Sequence, residues 1–291
     1  MIEVDKGLKR RKEIAEKIIE KSFFSVSLLA VVGIMLIGVF IFIKGMPAIF
    51  EIGFSNFIFG QVWNPSADLF GIFPMIVASL LGTFGALIIG VPLGVLTAVL
   101  LSEVAPIWVQ ILVRPAVDLL AGVPSVLYGF FGLVVIVPML DDMFGGGGNS
   151  LLAVMIILAI MILPTIVSIS ESAIRAVPKQ YKEGSLALGC SHIYTIFKVM
   201  IPAAKSGILS AIVLGTGRAI GETMAVILVA GNSPLIPGSL MDRVRTLTAN
   251  IAIEMGYAYG LHQEALFATG VVLFVFIMIL NIIMTRLIKK H

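Results

Sequence analysis

The sequence has few charged residues, a single cysteine and no metal-binding pattern. Only 13% of its 291 residues are Asp, Glu, Lys or Arg, and the formal net charge is +3. We expect no nucleic-acid partner, although this net charge decides little by itself. One cysteine, Cys190, excludes an intrachain disulfide framework. His192 stands two residues away, but a tetrahedral zinc site needs more ligands than these two, so we expect no bound metal.

The sequence also lacks a nucleotide-binding loop. No Gly-Lys-Ser/Thr follows the four glycines at 145–148, and no strand is predicted before them, which excludes a P-loop. The glycines of the segment 215–221 have the wrong last spacing for a dinucleotide fingerprint. We therefore expect no catalytic residues and no cofactor in this chain. Any energy that its function requires must come from a partner.

Apolar residues dominate the composition. They make up 59% of the chain, and the mean hydropathy is +1.09, so lipid must solvate much of the surface. A helix that crosses the bilayer needs ~20 apolar residues. Six runs are long enough, at about 22–43, 72–101, 115–140, 150–171, 206–230 and 264–287. The prediction is an all-α polytopic membrane protein with six transmembrane helices.

The basic residues predict how the chain is oriented. Sixteen of the twenty Lys and Arg residues lie in the N-terminal tail, near Arg114, in the loop 172–205 or at the C-terminus. Because basic residues mark the cytoplasmic side, both termini and this loop are predicted to be cytoplasmic. Residues 1–21 are predicted to form an amphipathic cytoplasmic tail, and residues 22–291 the transmembrane domain, with its core at about 72–287.

A charged pair interrupts the fifth apolar run. Arg218 lies roughly 18 Å from the cytoplasmic end of this run, where an arginine costs about 2.5–3.5 kcal/mol on insertion scales. Glu222 follows four residues later, which predicts that both side chains share one helical face. The two could form an ion pair that only neutralises both charges. We favour a water-accessible path in which Arg218 offers its planar fork of donors to an anion.

Other features inside the predicted spans have two interpretations. In the segment 121–125, Pro124 loosens the helix and Ser125 supplies a hydroxyl. This segment either exposes polar groups to the path or is a packing kink with Ser125 bonded to its own helix. Glycines recur at helix-packing spacing in three pairs: Gly90 and Gly94, Gly129 and Gly132, Gly217 and Gly221. We expect nearly all of them to serve close helix packing.

The loop between the fourth and fifth runs carries a recognisable pattern, PKQYKEGSLALGCSHIYTIFKVMIP at 178–202. It resembles the E-A-A-x3-G-x9-I-x-L-P signature of permease subunits of ATP-binding-cassette (ABC) importers. The matching positions are Glu183, Gly184, Ser185, Gly189 and Pro202. The chain departs from the signature where glycine and serine replace the two alanines, but both residues remain small. The resemblance implies that these residues dock onto a separate ATPase.

The resemblance extends to a narrower family, the permease of the bacterial phosphate-specific importer, most closely its PstC branch. The chain reads GRAIGETMAVILVAGNSP at 217–234, and also WNP at 63–65, VPLG at 91–94 and DLLAGVPSVLYGFFGL at 118–133. The similarity covers nearly the whole chain after about residue 20. It implies the type I ABC importer permease fold in the inner membrane of a prokaryote, with inorganic phosphate as the substrate.

The resemblance also implies the partners and the path. They are a second, homologous permease subunit, two ATPase subunits that bind the ATP, and an extracytoplasmic phosphate-binding protein. Arg218 and Glu222 correspond to the family's charged pair in the translocation path. Two alternatives stay open. The cargo could be another oxyanion (molybdate, tungstate or sulfate), or the chain could be an ion-coupled secondary transporter that needs no ATPase.

Overall fold

The computed structural model describes the backbone of residues 2–289 and the side chains of residues 16–283, 285 and 286. Over this part the chain is almost entirely helical. The α-helices are α1 Ile2–Ile52, α2 Phe54–Phe59, α3 Phe73–Val99, α4 Ile107–Gly122, α5 Ser125–Phe131, α6 Val137–Phe144, α7 Leu151–Arg175, α8 Lys179–Ala187, α9 His192–Thr195, α10 Ile201–Ala203, α11 Lys205–Gly221, α12 Met224–Val229, α13 Leu247–Glu254 and α14 Gly260–Lys289.

Several of these helices are joined or interrupted by other local structure. Wider π-helical turns at Leu100–Val104, Gly132–Ile136 and Ile196–Met200 continue α3, α5 and α9, respectively. A two-residue antiparallel pair, β1 Trp63–Asn64 with β2 Leu69–Phe70, forms a small hairpin between α2 and α3. Within the described residues this hairpin is the one sheet, so the prediction of an all-α architecture is confirmed in its essentials.

Among the residues that the structure describes, five helices are long and apolar enough to cross a membrane: Glu16–Ile52, Phe73–Val104, Ser125–Phe144, Leu151–Arg175 and Gly260–Ile283. A sixth candidate is a pair bent by 69°, His192–Ala203 with Lys205–Gly221. Its second helix, α11, is about 26 Å long and so falls just short of the ~30 Å hydrocarbon core. The short helix α12 continues beyond it. The six predicted runs therefore all correspond to helical passages.

Two of the predicted spans are wrong in their continuity. The third, predicted at 115–140, is broken: α4 ends at Gly122, Val123 and Pro124 are extended, and the span itself begins at Ser125. The cause is local, because a proline disfavours helical backbone in the residue before it. The fifth, predicted at 206–230, is broken between α11 and α12.

The first helix is longer than predicted. α1 is continuous from Ile2 to Ile52, so the helix that carries the predicted apolar run 22–43 extends beyond it at both ends. The side chains of residues 1–15 lie outside the described residues, and with them most of the predicted amphipathic face. The boundary at residue 21 between tail and transmembrane domain therefore stays a prediction.

Close packing at glycines holds the helices together. A Cβ on Gly45 of α1 would lie 2.7 Å from the backbone of Ala268 in α14, so these two helices touch backbone to backbone. Gly90 and Gly94 of α3 pack closely on the side chains of Ile162 and Ile166 of α7, in the largest apolar core. The prediction that these glycines serve close packing is confirmed here, as expected for helices in lipid.

A buried ion cluster fixes the end of the bundle that carries the hairpin. Glu254, at the end of α13, accepts hydrogen bonds from Arg245 Nη1 at 2.6 Å and from Trp63 Nε1 at 2.8 Å. His262 Nε2 lies 2.8 Å from its second oxygen. The Glu254 side chain is 6% exposed, so its charge depends on these partners. One carboxylate thus joins the hairpin, the loop before α13, and α14.

We expect Glu254→Ala to destabilise this end of the protein strongly. The substitution leaves Arg245 buried without its carboxylate, a change that typically costs about 3–5 kcal/mol. The apparent melting temperature of the purified protein in detergent should fall by several degrees. Glu51→Ala is the control, because Glu51 is exposed and forms no ion pair among the described side chains. Equal melting temperatures for the two variants would contradict a structural role for the cluster.

Candidate functional site

The candidate path lies where the passage from α11 to α12 is broken. Arg218 is in the last turn of α11, and Glu222, the residue after the helix, is extended with φ −71° and ψ 131°. The prediction that they share one helical face is therefore wrong, because the helix ends at Gly221 between them. Among the described side chains no ion pair joins Arg218 and Glu222. Mutual neutralisation does not account for their presence.

Arg218 lies deep in the bundle with most of its donors unused. It is thirteen residues from the start of α11, or about 20 Å along the axis. Its side chain is half-buried, and Nη1 makes one long contact, 3.5 Å, with Oγ1 of Thr165 on α7. A guanidinium carries five N–H groups in a fixed fork. This arginine therefore keeps donors for a ligand among the residues that the structure describes.

Glu222 is held on one side by backbone. Its Oε1 accepts the amide hydrogen of Ala225 at 3.0 Å, in the first turn of α12. Its carbonyl oxygen accepts the hydroxyl of Thr248 at 2.9 Å, so α13 supports the break from the side. Within the described residues no hydrogen bond reaches Oε2. The carboxylate is thus fixed in place and keeps one oxygen for a further donor.

The break before α5 lies beside the break before α12. Gly129 of α5 packs on Ala225 of α12, where a Cβ would lie 2.7 Å from the Cα of Ala225. Ser125 precedes this contact by four residues and Glu222 precedes it by three. Because both helices run in the same direction from their breaks, these two side chains lie at similar depth. Ser125 is half-buried and stands at the first residue of its span.

The small residues around Arg218 do not serve helix packing. A Cβ on Gly217 or on Gly221 would meet nothing within 4 Å, in contrast to the other two predicted pairs. The prediction of close packing is therefore wrong for this pair. Gly217 instead lines a small apolar gap against Ile277 and Leu280 of α14, whereas Gly221 lies open at the break, three residues after Arg218.

The predicted docking segment, residues 178–202, is an exposed helical hairpin. Glu183 and Gly184 are exposed on α8, and Pro202 is exposed on α10. Gly189 lies after α8 with φ +84°, a left-handed backbone that favours glycine. Ser185 differs from the others, because its buried hydroxyl bonds Oγ1 of Thr195 at 2.9 Å. Ser185 therefore joins α8 to α9 and presents little surface to a partner.

Sequence reasoning missed the apolar part of this surface. Six large apolar or aromatic side chains are exposed here: Tyr181, Leu186, Leu188, Ile193, Tyr194 and Phe197. Leu188 alone is 87% exposed. Apolar residues exposed together typically mark a protein interface. The signal was present in the sequence as apolar residues inside a basic loop.

No metal site accompanies these residues in the part of the chain that the structure describes, where no group of three His, Cys, Asp or Glu side chains is placed to hold an ion. A half-buried guanidinium with free donors, a carboxylate and a hydroxyl suit the recognition of an oxyanion. They provide no nucleophile held by a base, the arrangement that covalent catalysis requires.

Known proteins similar to this chain are membrane transport components. The family described as the binding-protein-dependent transport system inner membrane component matches residues 90–290. The probable ABC transporter permease protein YqgH of Bacillus subtilis is 39% identical to this chain, over 89% of this chain and 88% of the YqgH chain. The phosphate transport system permease protein PstC of Pasteurella multocida is 35% identical, over 82% of each chain.

The fold leads to the same class. A chain of the MetNI methionine ABC transporter, solved in inward-facing conformations, superposes with a TM-score of 0.57 over 76% of this chain and 94% of its own. At 20% identity this likeness shows the fold alone. The predicted ABC importer permease fold is confirmed by it. This multi-pass membrane protein belongs to the family of binding-protein-dependent transport system inner membrane components.

Proposed function

We propose that this chain is the permease subunit of an ABC importer that moves inorganic phosphate into the cytoplasm. The observation that carries the proposal is Arg218, a half-buried guanidinium with unused donors about 20 Å along α11 from its start. Gly221, three residues later, lies open at the break. Relatives over 30% identical that are named phosphate transport permeases support phosphate as the anion.

The charge of phosphate argues for a second subunit. At neutral pH phosphate carries between about one and two negative charges. One arginine beside Glu222 cannot balance that charge in surroundings of low dielectric constant. We infer that a homologous permease subunit faces this one and supplies further donors, so that the path lies between two halves. Arg218, Glu222 and Ser125 would then line this chain's side of the path.

The exposed docking segment indicates the source of energy. Glu183, Gly189 and the apolar side chains around Leu188 form a surface that suits a separate ATPase. In the proposed assembly two ATPase subunits bind the docking segments of the two permeases, at the cytoplasmic face with both termini. A phosphate-binding protein delivers the anion at the opposite face. Closure of the ATPase dimer would switch the path between its two openings.

Reconstitution tests the proposal directly. Proteoliposomes that contain this chain, its partner permease and the ATPase should import radiolabelled phosphate only when ATP and the binding protein are present. Molybdate, tungstate and sulfate should compete poorly. Import driven by an ion gradient without ATP would instead support a secondary transporter. Preferential import of another oxyanion would overturn phosphate as the cargo.

We expect Glu222→Gln to weaken the preference for phosphate over sulfate by roughly tenfold. A protonated phosphate oxygen can donate a hydrogen bond to the free carboxylate oxygen, whereas fully deprotonated sulfate cannot. A charged hydrogen bond of this kind is worth about 1.5–3 kcal/mol. The measurement is the ratio of phosphate to sulfate import in the same proteoliposomes. An unchanged ratio would exclude this role for Glu222.

A further inference from the structure

Charged side chains connect the docking segment to the inner ends of three helices. Lys182 on α8 reaches Glu103 in the π-helical turn that ends α3, with 2.6 Å between Nζ and Oε2. The Glu103 side chain is only 8% exposed, and Lys182 is its ion-pair partner among the described residues. A carboxylate with so little access to water depends on such a partner. The docking helix is therefore fixed to the end of α3 by a directed contact.

A second carboxylate continues the connection. Glu171, in the last turns of α7, pairs with Arg175 at 2.9 Å and also with Arg114 of α4. Arg175 in turn donates to the carbonyl oxygen of Leu101 at 2.8 Å, two residues from Glu103. It also donates to the side chain of Gln110 on α4 at 3.2 Å. These contacts run without a gap from α8 through the end of α3 to α7 and α4.

The helix at the far end of this connection is only partly buried. None of its residues is fully buried, and many of its apolar side chains project outward: Ile107, Trp108, Ile111, Leu112 and Leu119. Its other face packs on α7 through half-buried valines, and on this face Gln110 and Arg114 add directed polar contacts. At its other end, the carbonyl oxygen of Leu120 accepts the buried hydroxyl of Tyr128 at 2.6 Å.

Helix α4 leads directly to the candidate path. Its last residue, Gly122, is followed by the extended Val123 and Pro124 and then by Ser125. The contact between Leu120 and Tyr128 links the end of α4 to α5, which packs on α12 beside Glu222. A displacement of α8 would thus reach the broken segments around the path through contacts between named side chains.

We propose that Glu103 with Lys182, and Glu171 with Arg114 and Arg175, form a joint that couples the docking segment to the entrance of the path. This inference rests on the proposed function, since it assumes that an ATPase displaces α8. The five side chains are positioning residues: none of them needs to touch the anion. Their role is geometric, because Lys182 and both arginines are a third or more exposed, and solvent screens their pairs.

The experiment measures coupling rather than activity alone. The complete complex of both permeases, ATPase and binding protein is reconstituted in proteoliposomes, and ATP hydrolysis and phosphate import are recorded together. We expect Lys182→Glu and Glu103→Lys each to raise the number of ATP molecules hydrolysed per phosphate by roughly tenfold. The double variant, with the charges exchanged, should return within about twofold of the natural ratio. A role in stability alone would leave the ratio unchanged.

A matched variant and a binding measurement make the result specific. Lys44→Glu makes the same charge change at an exposed lysine of α1, outside the docking segment and without an ion pair among the described residues, and should alter the ratio far less. Co-purification of the ATPase is measured for every variant. The proposed joint would be overturned if both single variants hydrolysed as many ATP molecules per phosphate as the natural complex. It would also be overturned if the double variant kept the raised ratio of the single variants.

The binding measurement separates this inference from the proposed function. Glu103 lies outside the docking segment, so Glu103→Lys should leave ATPase binding intact. Loss of ATPase binding in that variant would overturn the joint in favour of a role in shaping the docking surface. If the natural complex neither binds the ATPase nor imports phosphate, the proposed function itself fails.

Discussion

Replacement of Arg218 by glutamine is expected to lower phosphate import by at least about a hundredfold. The substitution removes the positive charge and the fork of donors and leaves a shorter, neutral polar side chain. Two charge-assisted hydrogen bonds of about 1.5–3 kcal/mol each would be lost from the anion in the path. Import is measured in proteoliposomes, with membrane insertion and ATPase co-purification as separate readouts.

Two further variants make this test specific. Arg218→Lys keeps the charge without the planar fork, so import should fall by an intermediate amount. Arg243→Gln removes a guanidinium from an exposed position in the loop before α13, and import should stay within about twofold of the natural level. If the Arg218→Gln variant imported phosphate at the rate of the natural complex, Arg218 would not bind the anion in the path. Only the docking segment would then still support an ABC importer.

Access of water to this position can be measured independently. A cysteine in place of Gly221, which borders open space next to the break, should react with a small charged thiol reagent added in water. Cys190 is replaced by serine in the same background, because it is the natural cysteine of the chain. Lack of reaction in every state of the transport cycle would show that the position is sealed.

Most of the fold could be predicted from the sequence because lipid imposes a simple rule. A chain in hydrocarbon must satisfy its own backbone groups, so long apolar runs form helices. What failed was continuity within the spans. The break at Pro124 has a local cause, and the proline is visible in the sequence. The prediction nevertheless treated it as a loosened point within one continuous span, 115–140, rather than as a break. The break at Glu222 has no such signal, since Gly221 and Thr223 alone do not interrupt a helix.

The support for that second break comes from far along the chain. Thr248 bonds the carbonyl oxygen of Glu222, and the amide of Leu247 bonds Oγ of Ser79 on α3. Such contacts join segments that are widely separated in sequence, so no periodicity or spacing reports them. The same reason hides the pair of Lys182 with Glu103, which stand 79 residues apart. Tertiary contacts of this kind need coordinates.

The docking segment shows what a motif can and cannot predict. The resemblance located the segment and its exposed residues Glu183 and Gly189. It also assigned Ser185 to the docking surface, although the buried hydroxyl of that residue faces Thr195. A small residue there allows α8 and α9 to approach closely. The motif thus combines residues that shape the hairpin with residues that are free to meet a partner, and spacing alone does not separate them.

Gly189→Asp is expected to abolish import by preventing the ATPase from docking. Gly189 has φ +84°, and its amide donates to the carbonyl oxygen of Leu186 at 2.9 Å, which closes the end of α8. A side chain at this φ is strained by about 1–2 kcal/mol, although no neighbouring atom lies within 4 Å of its Cβ. The turn should therefore open, and the exposed Leu188 beside it should leave its position on the docking surface.

Glu183→Lys reaches the same surface without altering the turn. Glu183 is exposed on α8, and the variant reverses its charge in the middle of the surface that we assign to the ATPase. For both variants we expect normal membrane insertion, no co-purified ATPase and import at the background level. Gly256→Asp is the matched control, because this exposed glycine has no positive φ, has open space at its Cβ and lies before α14. Normal import by either docking variant would contradict the assignment of residues 178–202 as the ATPase-binding segment. A true contact surface should tolerate neither a charge reversal nor a disrupted turn.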